Sequence, residues 1–251
     1  MALNRKALII INPGEVGAEN YCEGVIKDAA IYKSFMLSGV GGAWRADEID
    51  ILKRPSQSEA HDAVASHKRA DYSFIAFCGH GYYSATRDST VLELRDSVSL
   101  DSVELRQGAT KRTIILDCCR KIRRPMALDE AIRKSFARLD AVVDISECRT
   151  YFDKAISACE AGLVVMFGCA IRETAGDDAQ RGGFYSYNLI NSTRDWARAA
   201  DVDTTTNYLT CSVVEAHNQA TAHVIRVSGG TQNPSIQKPR SGKYFPFGIV
   251  A

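Results

Sequence analysis

His80 stands between two glycines in the stretch FIAFCGHGYYS, and Cys119 closes the stretch TIILDCC, 39 residues further on. An imidazole and a thiol form a matched pair for acyl transfer. A thiol attacks a carbonyl carbon as the thiolate, and its free pKa of about 8.5 leaves little thiolate at neutral pH. An imidazole titrating near about 6.5 takes that proton and later gives it to the leaving amine. Glycines on both sides of His80 let the chain turn sharply, let a peptide pass close by, and leave a backbone N–H to face a developing oxyanion. Each residue alone also fits a structural role: a histidine after a strand is commonly a hydrogen-bonded loop residue, and cysteines in apolar runs pack as small hydrophobes. Their occurrence together, at two strand ends, is what points to chemistry.

The elements that must position this pair are legible as alternating strands and helices. KALIII (6–11), closed by Asn12-Pro13-Gly14, reads as a buried strand. Gly24 to Leu37 has helical spacing through Val25, Ala29, Tyr32 and Met36, and GVGG (39–42) ends it. IDIL (49–52) reads as a strand, and Ser56 to Ala70 as a helix capped by Ser56 or Ser58. YSFIAFC (72–78) and RTIILDCC (112–119) read as core strands, with a small hairpin between Thr90 and Leu100. A helix from Tyr151 to Glu160, a strand within 161–170, a helix from Gly183 to Ala199 and a final strand HVIRV (223–227) follow. The glycine- and proline-rich stretch 229–247 reads as loop. This order predicts an α/β fold, a mostly parallel central sheet with helices on both faces, in one domain spanning residues 1–251. Such sheets take their ligands beyond the carboxyl ends of the strands, where His80 and Cys119 lie. Residues 120–149, with KIRR, RKSFAR and Cys148-Arg149, read as a long basic loop. Such a loop is either a solvated insertion holding one amphipathic helix or a regulatory segment.

Composition narrows the classes further. Hydrophobic residues make up 45% of the 251 and charged residues 24%, ordinary proportions for a globular protein. A net charge of +1 supplies no basic field for nucleic acid or acidic membranes, so neither is expected as a partner. The apolar runs at 7–11 and 161–171 fall well short of the ~20 residues a membrane span needs. The start of the chain enters a core strand without an export signal, which leads to an expected cytoplasmic location. Eight cysteines occur without a CxxC pair and beside five histidines, so neither a zinc site nor a disulfide framework is expected.

The sequence resembles the caspases and metacaspases over most of its length, specifically the bacterial metacaspase or orthocaspase type. Metacaspases carry Ser-Gly-His-Gly after a hydrophobic strand, and Cys78-Gly79-His80-Gly81 stands here. They carry Asp-x-Cys at the nucleophile, here Asp117-Cys118-Cys119, and a helix start Gly-Cys-x-Asn-Asp-Ala, here Gly24-Val25-Ile26-Lys27-Asp28-Ala29. The resemblance implies a three-layer caspase-like fold with Cys119 as nucleophile, His80 as base, and the backbone N–H groups of Gly81 and Cys119 as oxyanion donors. It implies that Asp28 and Asp117 form an acidic pocket for the residue before the cut bond, and hence cleavage of protein or peptide substrates after Arg, and also Lys. Within MFGCAIRETAGDD, it places Cys169, Glu173 and Asp177 at the pocket's edge. Gly183-Phe184-Tyr185 would begin a helix beneath it, and Thr231-Gln232-Asn233-Pro234 matches a late Gln-x-Pro segment.

Two departures stand out: Arg120-Lys121-Ile122 replaces the usual His-Ser-Gly, and Cys78 replaces a serine. A cationic neighbour of Cys119, in the pair Arg120-Lys121, would favour its thiolate. No cofactor is required by the chemistry. Some metacaspases need calcium, for which Asp177-Asp178 is the candidate here. The family also implies a role in bacterial defence or regulated cell death, and activation of a latent form by a cut in the basic loop, made by another copy or by a second protease. The alternatives are a catalytically silent caspase-fold adaptor and an α/β hydrolase of a small amide or ester.

Overall fold

A computed structural model describes residues 3–121, 145–201 and 207–251. In chain order the first part holds β1 (Arg5–Asn12), α1 (Gly24–Leu37), β2 (Ile49–Lys53), α2 (Gln57–Ser66), β3 (Tyr72–Gly79), β4 (Gly81–Ser84), β5 (Ser89–Arg95), β6 (Val98–Asp101) and β7 (Lys111–Cys118). The second part holds α3 (Ile145–Ser157), β8 (Gly162–Phe167), β9 (Asp177–Asp178), β10 (Gly182–Gly183), α4 (Phe184–Ala199), β11 (Leu209–Ser212), α5 (Val213–Val227), β12 (Ser235–Gln237) and β13 (Pro246–Val250).

The central sheet runs in the order β12-β8-β7-β3-β1-β2, parallel throughout except for β12 at one edge. Its inner strands are apolar on both faces, as burial from both sides demands. In β1, Ala7, Ile9 and Ile11 face one core and Leu8 and Ile10 the other. The first core is covered by α1, α3, α4 and α5. The second is covered by α2, through Ala60 and Val64, and by the antiparallel β4-β5-β6 sheet, through Leu92, Leu94 and Leu100. The predicted α/β class, with a largely parallel sheet between helical layers, is thus the observed architecture, a caspase-like three-layer arrangement.

Local chemistry sets the element ends. Ser56 caps α2 by accepting from the Glu59 N–H while Glu59 bonds back to the Ser56 N–H, a reciprocal capping box. Arg5, wholly buried at the start of β1, donates to the carbonyls of Gly42 and Ala43, pairs with Asp153 of α3 at 3.3 Å and Glu48 at 3.7 Å, and stacks over Trp44. A buried cation needs such partners.

Some expected elements differ. HVIRV is the last turn of α5, not a strand. Its β-branched residues favour a strand locally, but Val213, Ala216, Ala220 and Val224 recur at three or four and bury one helical face. The stretch 229–247 is not all loop: it contains β12 and the start of β13, and β12 adds the last strand to the sheet. The hairpin near Thr90–Leu100 gains a third strand, β4, immediately after His80. The helix expected from Tyr151 begins at Ile145, so residues 145–149 of the expected basic loop are helical. Residues 122–144 of that loop lie outside the described residues.

Candidate active site

β3 and β7 are adjacent and parallel, with Gly79 opposite Cys118 as the last paired residues. His80 and Cys119 therefore leave neighbouring strands at the same level. Gly79 has a φ of +144°, and a Cβ there would lie 3.0 Å from the backbone of Asn12, so β1 leaves no room for a side chain. A Cβ on Gly81 would meet Cys118 Sγ and the Val91 carbonyl at 2.9 Å. The two glycines thus press the His80 turn against β1 on one side and against the Cys119 strand on the other. His80 Nε2 is buried without a hydrogen-bond partner, beside Gly14. The carbonyl of His80 accepts the Glu93 N–H, which fixes the turn to β5.

Cys119 is half-buried, and its thiol donates to the Ala175 carbonyl at 3.7 Å. Burial raises the Cys119 thiol above its ordinary value, while the charge of Lys121 draws it down. The Arg120 guanidinium turns elsewhere: it donates to Thr90 Oγ1 and the Cys169 carbonyl and lies 4.0 Å from the Phe167 ring centre. Of the two cationic neighbours, Lys121 is the one whose charge acts on Cys119. Cys169 is buried and donates to the Cys118 and Glu173 carbonyls, packing under the strand end.

Asp28 of α1 and Asp117 of β7 are both buried and share one site. Asp28 Oδ1 accepts the Gly183 N–H at 2.9 Å; Asp117 Oδ2 accepts the Ser186 N–H at 2.9 Å and its hydroxyl at 2.7 Å. These amides belong to the first turn of α4, where no intrahelical acceptor exists and the helix dipole favours negative charge. One oxygen of each acid, Asp28 Oδ2 and Asp117 Oδ1, is buried with no hydrogen-bond partner among the described residues. Burial raises Asp117 to about 6 against the pull of the Ser186 bonds. Burial also raises Asp28, with the Asp117 charge adding to it.

Asp177 lies beside them. Burial raises its carboxyl, while the nearby Gly24 N–H at the start of α1 and the charge of His80 oppose the rise. Glu173 does not join the acid group: its carboxylate accepts from Ala170 N, Asn233 N and Asn233 Nδ2. It latches the 231–234 segment, whose Gln232 also bridges the Gly168 carbonyl and the Gly176 N–H. Asp178 accepts the Gln180 and Arg181 N–H groups. Among the described residues, no group of three or more His, Cys, Asp or Glu is arranged to hold a metal ion, and no helix is long and apolar enough to cross a membrane.

Ser186, and the role of the Gly183 N–H as a donor to Asp28, are what sequence reasoning missed. Ser186 joins the acid site to the rest of the core, since Tyr32 donates to it and Cys78 lies 3.6 Å away. The available signal was the Gly183-Phe184-Tyr185 helix start: a first turn presents free amides, and two orphan acids need donors.

The caspase domain family model matches residues 4–246. The chain belongs to this family of cysteine peptidases, and membership implies cysteine-protease-like activity. The crystal structure of caspase-1 from Spodoptera frugiperda is similar over 94% of this chain and 88% of that one, with 14% identity and a TM-score of 0.53. At that identity the likeness is one of fold. No curated protein sequence is matched.

Proposed function

We propose that this protein is a cysteine endopeptidase that cuts peptide bonds after Arg, and also Lys, with Cys119 as nucleophile and His80 as proton carrier. The observation that supports it best is the buried pair Asp28 and Asp117, each with one unpartnered carboxylate oxygen, next to the two strand ends. A guanidinium entering that site would satisfy both oxygens with charged hydrogen bonds, which accounts for two acids in a place where neither has a cation partner among the described residues.

In the proposed reaction the Cys119 thiol gives its proton to His80, and the thiolate forms a C–S bond to the peptide carbonyl carbon. The backbone N–H groups of Gly81 and Cys119 face the oxyanion. The C–N bond breaks as the His80 imidazolium protonates the leaving amine. Water then attacks the thioester, His80 takes its proton, and the acid and free thiol are released. Burial holds Cys119 largely protonated before substrate arrives, so proton transfer to His80 belongs to the reaction. We also propose that the chain is a single peptidase domain, and that a cut among the arginines of residues 122–144, by another copy or a second protease, governs activity. The setting would be cytoplasmic defence or regulated cell death.

The test uses fluorogenic peptides ending in Arg, Lys or Asp, with Cys119→Ala and His80→Ala beside the wild type. Cleavage after Arg that is lost in both variants is the expected result. Cleavage after Asp would keep the peptidase and overturn the specificity. No cleavage, also after nicking within 122–144, would return the chain to the silent adaptor.

A further inference from the structure

A cavity of about 340 Å³ is lined by His80 but by neither Asp28 nor Asp117. Its walls are the loop after β1, with Asn12, Gly14 and Asn20, and the β5–β6 hairpin, with Glu93 and the turn at Asp96 and Ser97. His80 lines it directly. The hairpin packs on the second core through Leu92, Leu94 and Leu100, whereas Asp28 and Asp117 are held by α4 on the first. His80 and Cys119 stand at the sheet's carboxyl edge between these two faces.

The charges around the cavity are unequally matched. Asp96 pairs with Arg54 at 3.4 Å, and Arg54 also pairs with Glu15. Arg95 also lines the cavity; it is exposed, and its charge acts on Glu59. Asn12 is buried and fully engaged: it donates to the Glu93 carbonyl at 2.6 Å and accepts the Gly14 N–H at 3.1 Å, tying the two walls together. The Glu93 carboxylate, half-buried, has no hydrogen-bond or ion-pair partner among the described residues. An anion partly withdrawn from water beside a roomy polar cavity favours a cation there.

We propose that this cavity receives the substrate on the leaving-group side of the cut bond, and that Glu93 selects a basic side chain there. The inference rests on the peptidase reading above, in which His80 protonates the departing amine and so must face the residues that leave. A chain crossing the sheet edge would set its residue before the cut among Asp28 and Asp117 and its next residues along His80 toward Glu93. The protein would then prefer sites with consecutive basic residues, one on each side of the cut bond.

Internally quenched peptides with Arg before the cut bond and Lys, Ser or Glu after it test the proposal, with Glu93→Gln and Glu93→Lys beside the wild type. The expected kcat/KM ratio of Lys to Glu peptides is tenfold or more for the wild type, within threefold for Glu93→Gln, and inverted for Glu93→Lys. Binding of the same uncut peptides to Cys119→Ala gives a second readout that needs no turnover, and the same ordering is expected in Kd. Cleavage after Arg with no discrimination on the leaving side would overturn this proposal and leave the peptidase reading standing. Equal binding of Lys and Glu peptides to Cys119→Ala would overturn it even if no peptide were cut.

Discussion

At the scale of single residues, Asp117 carries an electrostatic cost that a bound cation, such as the proposed arginyl side chain, would relieve. Its carboxyl is raised by burial from the ordinary 3.8 to about 6. Between those values the folded protein holds a proton that the unfolded chain has lost, so stability falls as pH rises, and the loss is complete above about 6. Asp117→Asn keeps an oxygen for the Ser186 donors and removes the charge. By calorimetry at pH 8, the variant should unfold at a temperature no lower than the wild type. Its kcat/KM for arginyl peptides should fall about a hundredfold, the scale of a charged hydrogen bond left unmade. A variant that unfolds well below the wild type would show that the carboxylate stabilises the empty site. His80, Asp117 and Cys119 were legible in the sequence because each stands at the end of a continuous apolar strand. Ser186 was not, because its donors reach Asp117 from 69 residues away and only the placement of α4 reveals them.

Among elements, the start of α4 does the most for the site. Gly183 has an ordinary φ of −57°, so its lack of a side chain answers to space: a Cβ there would lie 3.3 Å from Asp28 Oδ2 and closer still to Asp117 Oδ2. Gly183→Ala should cost about 1–3 kcal/mol in urea unfolding, as overpacking does, and should raise KM for arginyl peptides. Unchanged stability and KM would mean the two acids move apart freely. Where α4 meets α5, Tyr185 bonds to His217, whose imidazole burial lowers to about 4. The unfolded chain takes that proton from near pH 6.5 downward, so this contribution to stability is lost as pH falls from 6.5 to 4. His217→Gln should flatten the pH dependence of unfolding free energy in that window. α1 was read residue for residue because its apolar spacing and closing glycines agree. α5 was misread at its end because a β-branched run outweighed the longer helical period, which only the full stretch from Val213 makes plain.

For the whole molecule, the topology decides what a cut between residues 122 and 144 can do. β8 is paired with β7 from Lys111–Gly162 to Leu116–Phe167 and carries β12 on its other edge. The buried Arg5 reaches Asp153 of α3, and Arg149 reaches Glu48 in the opposite direction. Protein cut at a single engineered site in 122–144 should elute from gel filtration at the intact size and separate only in denaturant. Two peaks under native conditions would refute this. The largely parallel sheet was legible from alternating strands and helices, while the antiparallel edge strand was hidden in a proline-rich stretch of three pairing residues. The candidate site is divided in the same way. Asp28, His80, Asp117 and Cys119 all precede the break, whereas Gly183 and Ser186, which hold the acids, follow it. If the proposed acid pocket and cut both hold, substrate choice would be a property of the joint between two polypeptides, and the pieces made separately would act as a coincidence detector, silent apart and competent only where both are present.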